Sequence, residues 1–251
     1  MLIEDKQGNY SFLKGISPYS AGVVAAPGYE IVHRRLQLAL PLLAGFDLID
    51  NHLKSLRRSR KALCGIELRS PRPFTFQGFA DFNSSYVDIL KRWDILQDVL
   101  NPVARTNVAP ELDPPAEPSV YGFSFTVQAS QSQPTFVVAG AGELPEGSLD
   151  PHDVVRRGET SQEALIEKSR FVLGLMESRL KGLGVDWPHV TTTDVYTVHD
   201  ICPWLTKEIL SRMRAAQIHG ITWHFSRPPI VSIEFEMDLR GCAKELVIAG
   251  G

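Results

Sequence analysis

The sequence predicts an α+β protein built from two similar units that follow one another along the chain. Strand-like and helix-like patterns occur in the order strand, strand, helix, strand, helix, strand, strand as far as residue 127. A similar order begins again after a polar break at residues 128–133. The chain of 251 residues is 43% hydrophobic and 22% charged, which is typical of a globular protein with a sizeable core.

The first unit is predicted to span residues 1–128. Apolar residues at helical spacing predict its two helices, and partial alternation of apolar and polar residues predicts its strands. The predicted strands are at residues 11–22 (ending in a turn), 29–43, 62–68, around 105 and 120–127, and the predicted helices are at 46–56 and 79–96. The strand near residue 120 is compatible with closing this unit or with opening the next.

The second unit is predicted to span residues 129–251. Its strongest element is a helix from Ser161 to Gly184, because apolar residues share one face and glycines end it. The other predicted elements are strands at 135–139, 190–198, 220–225 and 230–239, and a helix at 205–216 that begins near Pro203. Each unit is therefore expected to be a curved mixed sheet with two helices on one face.

Composition and charge exclude several classes of function. The formal net charge of −3 disfavours general binding to nucleic acid. Cys64, Cys202 and Cys242 lack the spacing of a zinc site or a disulfide framework, and no metal site is predicted. The sequence has no phosphate-binding loop, dinucleotide fingerprint or nucleophile elbow. With no apolar run of membrane-spanning length and no signal peptide, we expect a cytoplasmic protein without membrane partners.

The stretch Asn101-Pro102-Val103-Ala104-Arg105-Thr106-Asn107-Val108 contains the leading candidate for a binding residue. Arg105 follows a proline-containing turn and opens a strand, which would place its guanidinium at the mouth of a sheet. A planar guanidinium can donate two parallel hydrogen bonds to a carboxylate. On spacing alone, a surface arginine at the start of a strand is the simpler interpretation.

Further motifs resemble the reactive-intermediate deaminase (Rid, YjgF-like) superfamily. Ser17-Pro18-Tyr19-Ser20-Ala21-Gly22 resembles the family's opening turn, and residues 102–108 resemble its strand with the substrate-binding arginine. Gly140-Ala141-Gly142-Glu143-Leu144-Pro145 resembles its glycine turn, although a plain hairpin turn fits equally well. Val231-Ser232-Ile233-Glu234-Phe235-Glu236 resembles its closing strand.

The resemblance implies a tandem member with two YjgF-like (chorismate mutase-like) units and ligand clefts between units. It implies that Arg105 holds a substrate carboxylate and that Glu234 handles a proton or positions a water. The other residues that it places at the site are Tyr19, Thr106, Asn107, Ala141, Gly142, Glu143 and His219. It also implies a homotrimer, or a multiple of one, and no cofactor.

Three hypotheses about function follow. The first is a deaminase or hydrolase of a small enamine, imine or unsaturated amino carboxylic acid. The second is a non-catalytic carboxylate-binding protein, because an ungapped count places His219 of the second unit where the first has Arg105. The third is a hydrolase of a cyclic carboxylate, as in chorismatases, whose fold is similar.

Overall fold

Two mixed β-sheets pack face to face, which confirms the predicted α+β class. The computed structural model describes residues 2–130 and 133–249. Its strands are β1 (Leu2–Asp5), β2 (Tyr10–Leu13), β3 (Gly22–Ala25), β4 (Tyr29–Pro41), β5 (Leu63–Arg69), β6 (Ala104–Pro110), β7 (Ser119–Gln128), β8 (Phe136–Gly142), β9 (Thr192–Tyr196), β10 (Thr222–His224), β11 (Ser226–Arg227), β12 (Glu236–Gly241) and β13 (Glu245–Ile248). A seven-stranded sheet has the order β1-β2-β3-β8-β12-β9-β10, and a six-stranded sheet has the order β11-β6-β5-β7-β4-β13.

Helices cover the outer faces of the sheets. They are α1 (Leu42–Ser55), α2 (Phe76–Arg92), α3 (Gln162–Leu183) and two short turns, α4 (Cys202–Trp204) and α5 (Ser211–Met213), which flank a π-helical stretch at Leu205–Leu210. Short 3₁₀ turns lie at Arg60–Ala62, Pro151–Asp153, Trp187–His189 and Arg214–His219. Thr75 caps α2 through the N–H of Gly78, and Ser161 caps α3 through the N–H of Ala164. α3 ends at Gly184, whose φ of 78° is the left-handed conformation expected of a terminating glycine.

The chain makes the same set of connections twice. In the first half, β7 lies between β4 and β5 and is antiparallel to both, while β6 adds to β5 in parallel. In the second half, β12 lies between β8 and β9 and is antiparallel to both, while β10 adds to β9 in parallel. The two halves of the described chain therefore share one topology.

Strands cross between the halves at the edges of both sheets. β3, from the N-terminal end of the chain, pairs with β8 and brings β1 and β2 into the sheet of the second half. In the opposite direction, β11 pairs with β6 and β13 pairs with β4. Each sheet is thus completed by strands from the other half, and a boundary near residue 128 separates the helices but not the strands.

The interior includes an apolar core on the helix side of each sheet, with polar and apolar side chains together between the sheets. One apolar core, which includes Phe46, Tyr86 and Phe123, fills the space between the six-stranded sheet and its helices. The other, which includes Met176 and Phe235, does the same for the seven-stranded sheet. Between the two sheets lies a buried set of charged and polar side chains: His33, Glu67, Arg69, Thr106, Ser124, Asp194, Tyr196, Asp238 and Arg240.

The structure corrects three predicted elements. The strand predicted at 230–239 begins only at Glu236, because residues 231–235 form a turn and an irregular segment in which Ser232 has a φ of 79°. Residues Gly140–Gly142 end β8 rather than forming a turn. The helix predicted at 205–216 is broken by the π-helical stretch.

The polar break predicted at residues 128–133 falls partly on residues 131 and 132, which lie outside the described residues. In the part of the chain that the structure describes, no helix combines the length and the apolar character needed to cross a bilayer.

Candidate functional site

The two stretches near residues 17–22 and 101–105 are bonded to each other. Asn101 donates from Nδ2 to the carbonyl of Pro18 (2.6 Å), and its Oδ1 accepts the N–H of Val103 (3.0 Å). Ser20 donates from Oγ to the carbonyl of Pro102 (3.0 Å) and from its N–H to the carbonyl of Val103 (3.0 Å). These bonds fix the turn that carries Tyr19 beside the start of β6, where Arg105 lies.

Arg105 is buried, with 2% of its surface exposed, and lies among aromatic rings. Its guanidinium carbon is 4.6 Å from the centre of the Tyr19 ring and 4.9 Å from that of Tyr86, with Phe79 at 5.4 Å and Phe82 at 5.7 Å. Such contacts stabilise a cation without neutralising its charge. Aromatic side chains of α2 therefore form one wall of the Arg105 environment.

No group among the described residues hydrogen-bonds the buried Nε and Nη1 atoms of Arg105. Burial lowers the pKa of Arg105, against the opposing effects of Tyr19, Tyr86 and Glu236. A buried, unpaired guanidinium is costly, because both desolvation and lost hydrogen bonds disfavour it. The arrangement suits an anionic ligand that would supply the missing acceptors.

Arg105 lines a cavity whose walls come from both halves of the chain. The cavity has a volume of about 70 Å³, several times the space that one water molecule requires. The first half contributes Tyr19, Phe79 and Asn107, and the second half contributes Gly140, Glu236 and Arg179. Asn107 accepts a hydrogen bond from Ser70 Oγ (2.9 Å), whereas its buried Nδ2 has no partner within the described residues.

Glu236, the first residue of β12, provides a deeply buried carboxyl group of the cavity. Burial raises the pKa of Glu236 well above its usual range, and the neighbouring Asp238 adds to this effect, while Arg105 and Arg179 oppose it. Gly140 lies against it so closely that a Cβ there would collide with Glu236 Oε1. Because burial favours the neutral carboxyl, Glu236 is suited to hold a proton and donate it inside the cavity.

Several predicted site residues lie at the cavity, and others do not. Tyr19, Asn107, Ala141 and Gly142 line it together with Arg105. Thr106 points between the sheets instead, where its Oγ1 donates to Asp238 Oδ2 (2.7 Å). Side chains alternate along a β-strand, so neighbouring residues of β6 face opposite sides of the sheet.

Glu143 has a structural position. It is fully buried and pairs with Lys168 Nζ (2.9 Å), which is fully buried as well. Its carboxylate also accepts the N–H groups of Glu234 (2.7 Å) and Phe235 (3.0 Å). Glu143 thereby holds the irregular segment that leads into β12 and indirectly fixes the position of Glu236.

The structure does not bring Glu234 or His219 to Arg105. Glu234 is absent from the cavity lining, and its Oε2 lies 2.9 Å from His199 Nε2. His219 ends an exposed 3₁₀ turn away from the cavity. The irregular backbone before β12 explains the difference at Glu234, because the alternation of a strand applies only from Glu236 onward.

The sequence interpretation did not include Glu236 or Arg179 among the site residues. Glu236 stands in the closing motif two residues after Glu234, so the signal was present but the register was not visible. Arg179 belongs to α3, where a charged residue is ordinarily solvated. Its burial against the carbonyls of Ala139 and Gly140 depends on how α3 packs over β8, and no short sequence pattern indicates it.

Metal binding has no support in the described residues, where no three His, Cys, Asp or Glu side chains are grouped as potential ligands. The charged groups of the cavity are the guanidinium groups of Arg105 and Arg179 and the carboxyl groups of Glu146 and Glu236, and its polar groups include the amide of Asn107. These can bind an anion and transfer a proton.

Comparison with known proteins adds a family and a relative. The sequence model of the family described as 2-aminomuconate deaminase CnbZ matches residues 2–246. A 2-amino-5-chloromuconate deaminase of Comamonas testosteroni is 42% identical over 244 residues, covering 96% of this chain and 96% of the relative.

Solved structures show only partial likeness. A chorismatase has 10% identity and a TM-score of 0.48 over 96% of this chain and 79% of its own. A cyanuric acid hydrolase has 9% identity and a TM-score of 0.44 over 87% of this chain and 69% of its own. A putative endoribonuclease of Thermotoga maritima has 17% identity and a TM-score of 0.30 over 44% of this chain and 80% of its own.

Proposed function

Since the chain belongs to the 2-aminomuconate deaminase (CnbZ) family, we propose that it deaminates a small unsaturated 2-amino carboxylic acid of the aminomuconate class. The observation that carries this proposal is the pairing of groups in one cavity. Arg105 has a buried guanidinium to which no carboxylate of the described residues is hydrogen-bonded, and Glu236 has a carboxyl that favours its protonated form. A small molecule with a carboxylate and a proton acceptor would bind the Arg105 guanidinium through the first and accept a proton from Glu236 at the second.

The overall reaction replaces an amino group by a carbonyl oxygen. An enamine carboxylate and one water give a 2-oxo acid and ammonia. A proton added to the carbon end of the conjugated system converts the enamine into an iminium ion, and water then adds to C2. One proton of that water leaves with the nitrogen as ammonia, the other replaces the proton donated at the start, and its oxygen becomes the carbonyl.

The cavity residues have distinct proposed roles in this sequence. Arg105 binds the C1 carboxylate and fixes the adjacent C2 atom, which gains the advantage of a positioned reactant. Glu236 donates the proton to carbon and recovers one from the attacking water. The free Nδ2 of Asn107 is placed to hydrogen-bond the substrate. The aromatic wall excludes bulk water from the guanidinium and strengthens its interaction with the carboxylate.

The experiment that tests the proposal measures ammonia release from 2-aminomuconate by the purified protein and its variants. Arg105→Met removes the carboxylate receptor, and we expect kcat/KM to fall by roughly 10²–10³-fold. Glu236→Gln removes the proton donor, and we expect a loss of about 10²-fold or more. Absence of ammonia release from the unaltered protein would contradict the deaminase proposal.

Glu234→Gln is the matched control, because it makes the same change two residues away and outside the cavity. We expect Glu234→Gln to retain most of the activity. If Glu234→Gln is inactive while Glu236→Gln is active, the proton-transfer role belongs to Glu234, as the closing motif led us to expect from the sequence.

The repeated topology supports a second part of the proposal, that each half is a Rid-like unit. Both halves connect strands and helices in the same order and with the same pairing. In this chain the cavity lies between halves of one molecule, so it needs no second chain to bring Arg105 and Glu236 together. The trimeric assembly stays a prediction, which sedimentation equilibrium of the purified protein would test.

A further inference from the structure

The cavity contains a second guanidinium, that of Arg179 on α3, in addition to Arg105. Arg179 has 8% of its surface exposed. Its Nη1 donates to the carbonyl oxygens of Ala139 (2.7 Å) and Gly140 (3.4 Å). These bonds anchor one edge of the guanidinium to β8, so its position in the cavity wall is fixed by the backbone.

The other edge of Arg179 is occupied by a carboxylate of the protein itself. Nε donates to Glu146 Oε1 (2.5 Å), and Nη2 lies 2.5 Å from the same oxygen. The Glu146 side chain is 42% exposed and lies in the loop between β8 and the Pro151–Asp153 turn. Arg179 is therefore a buried carboxylate receptor whose current partner comes from the solvent side and can leave toward solvent.

We propose that the cavity binds both ends of a linear dicarboxylate: Arg105 takes one carboxylate, and Arg179 takes the other after Glu146 is displaced. This inference rests on the proposed function for the class of molecule that enters the cavity. In this proposal Arg179 selects substrates that have a second carboxylate. The Glu146 carboxylate occupies the same position on Arg179 until the substrate binds.

The charges of the cavity agree with this assignment. When Glu146 turns outward, the guanidinium groups of Arg105 and Arg179 place two positive charges in the cavity wall. A dianion neutralises both charges, whereas a monocarboxylate leaves one guanidinium without an acid. Because charge-assisted bidentate pairs are among the stronger polar contacts, the difference should be measurable as selectivity.

The test uses two unreactive ligands that differ at one end. Muconate and sorbate share a six-carbon diene chain, but sorbate has a methyl group in place of the second carboxylate. Calorimetric titration of the unaltered protein should show muconate binding about tenfold or more tightly than sorbate. Equal affinity for the two ligands would overturn the proposal.

Variants show which residue causes the preference for muconate over sorbate. Arg179→Met should abolish the preference for muconate and leave sorbate affinity unchanged, whereas Arg105→Met should weaken both ligands. Arg170→Met is the matched control, because Arg170 lies on the same helix and forms a bidentate pair with Glu208 (2.6 and 2.7 Å). A preference that survives in Arg179→Met, or is lost in Arg170→Met, counts against the assignment.

Glu146→Gln provides an independent readout that does not depend on the stability of the Arg179 variant. It removes the internal competitor on a partly exposed loop, so muconate affinity should rise several-fold while sorbate affinity stays the same. Unchanged or weaker muconate binding would overturn the proposed competition by Glu146. Binding of muconate through Arg179 without ammonia release from 2-aminomuconate would refute the deaminase proposal alone, and deamination without selectivity for muconate would refute only this inference.

Discussion

Arg105 and Arg240 are both buried to within a few per cent of their surface, yet their surroundings are opposite. Arg240 lies between the sheets, with Glu67 Oε1 at 2.7 Å, Asp194 Oδ2 at 2.9 Å and Asp238 Oδ1 at 3.3 Å. Arg105 has aromatic rings around it and no acidic partner among the described residues. The same side chain at the same depth is thus neutralised in one place and left available in the other.

The direction of the pKa shift of each arginine depends on the charged groups around it. Burial lowers the pKa of each guanidinium, but Glu67, Asp194 and Asp238 reverse this for Arg240 and hold its pKa well above the usual range. For Arg105 burial dominates and the pKa is lowered. Burial alone therefore does not distinguish the two arginines, whereas the acidic partners of Arg240 do.

The largest effect on stability should come from Arg240→Met. The change leaves Glu67, Asp194 and Asp238 buried without their shared guanidinium, with Arg69 at 3.8 Å from Glu67 as the remaining arginine. Breaking a buried ionic network from one side costs about 3–5 kcal/mol of unfolding free energy. Urea denaturation at pH 7 measures it, and a loss below about 1 kcal/mol would contradict the structural role given to Arg240.

The next effect is a loss of stability on acidification through His33, which belongs to the same buried set of charged and polar side chains. Burial and the nearby Arg240 lower the pKa of His33 from 6.5 to about 4. Between these values the unfolded chain binds a proton that the folded chain does not, so stability falls as pH drops from about 6.5 to about 4, by up to about 3 kcal/mol.

Comparing urea denaturation at pH 7 and pH 5 isolates this effect. In His33→Gln, the decrease in unfolding free energy between pH 7 and pH 5 should be smaller by the amount that protonation of His33 contributes. The exposed His152 serves as the control, and His152→Gln should retain the full acid loss. Identical pH dependence of the unaltered protein and His33→Gln would show that His33 is protonated without cost.

The third expected effect concerns the pH dependence of deamination. Since the pKa of Glu236 is raised by burial and by Asp238, the proton donor is lost only as pH rises through that raised pKa. The value of kcat/KM should therefore fall about tenfold per pH unit on the alkaline side. A pH–rate profile of ammonia release should show this limb in Glu234→Gln and lack it in Glu236→Gln.

The smallest effect should be that of Arg105→Met on stability. The change removes an unpaired buried charge and puts an apolar side chain among aromatic rings. We expect an unfolding free energy that is unchanged within about 1 kcal/mol or is higher. A loss as large as that of Arg240→Met would mean that Arg105 is part of the folded framework rather than a receptor.

Much of the candidate site was visible in the sequence because its motifs are local. The turn with Tyr19 and the stretch with Arg105 each occupy fewer than ten residues, and hydrogen bonds through Asn101 and Ser20 join them. Glu236 and Arg179 were not predicted. Their positions depend on where β12 becomes regular and on how α3 packs over β8, and neither is encoded in a short pattern.

The fold was predictable to the same extent. Apolar periodicity predicted α1, α2 and α3, glycines marked the end of α3, and alternation predicted most strands, because these signals act within one element. The pairing of β3 with β8 and of β13 with β4 was not predictable, since alternation shows that a strand has a buried face but not which strand lies beside it.

That crossing of strands limits how the chain can be divided. A fragment that stops near residue 128 would keep β1–β3 but lose β8, their neighbour, and would expose the edge of β4 that β13 covers. A fragment that starts there would carry β13 and β11 with nothing to pair with. We therefore expect separate expression of either half to yield material with open sheet edges, which are prone to aggregate.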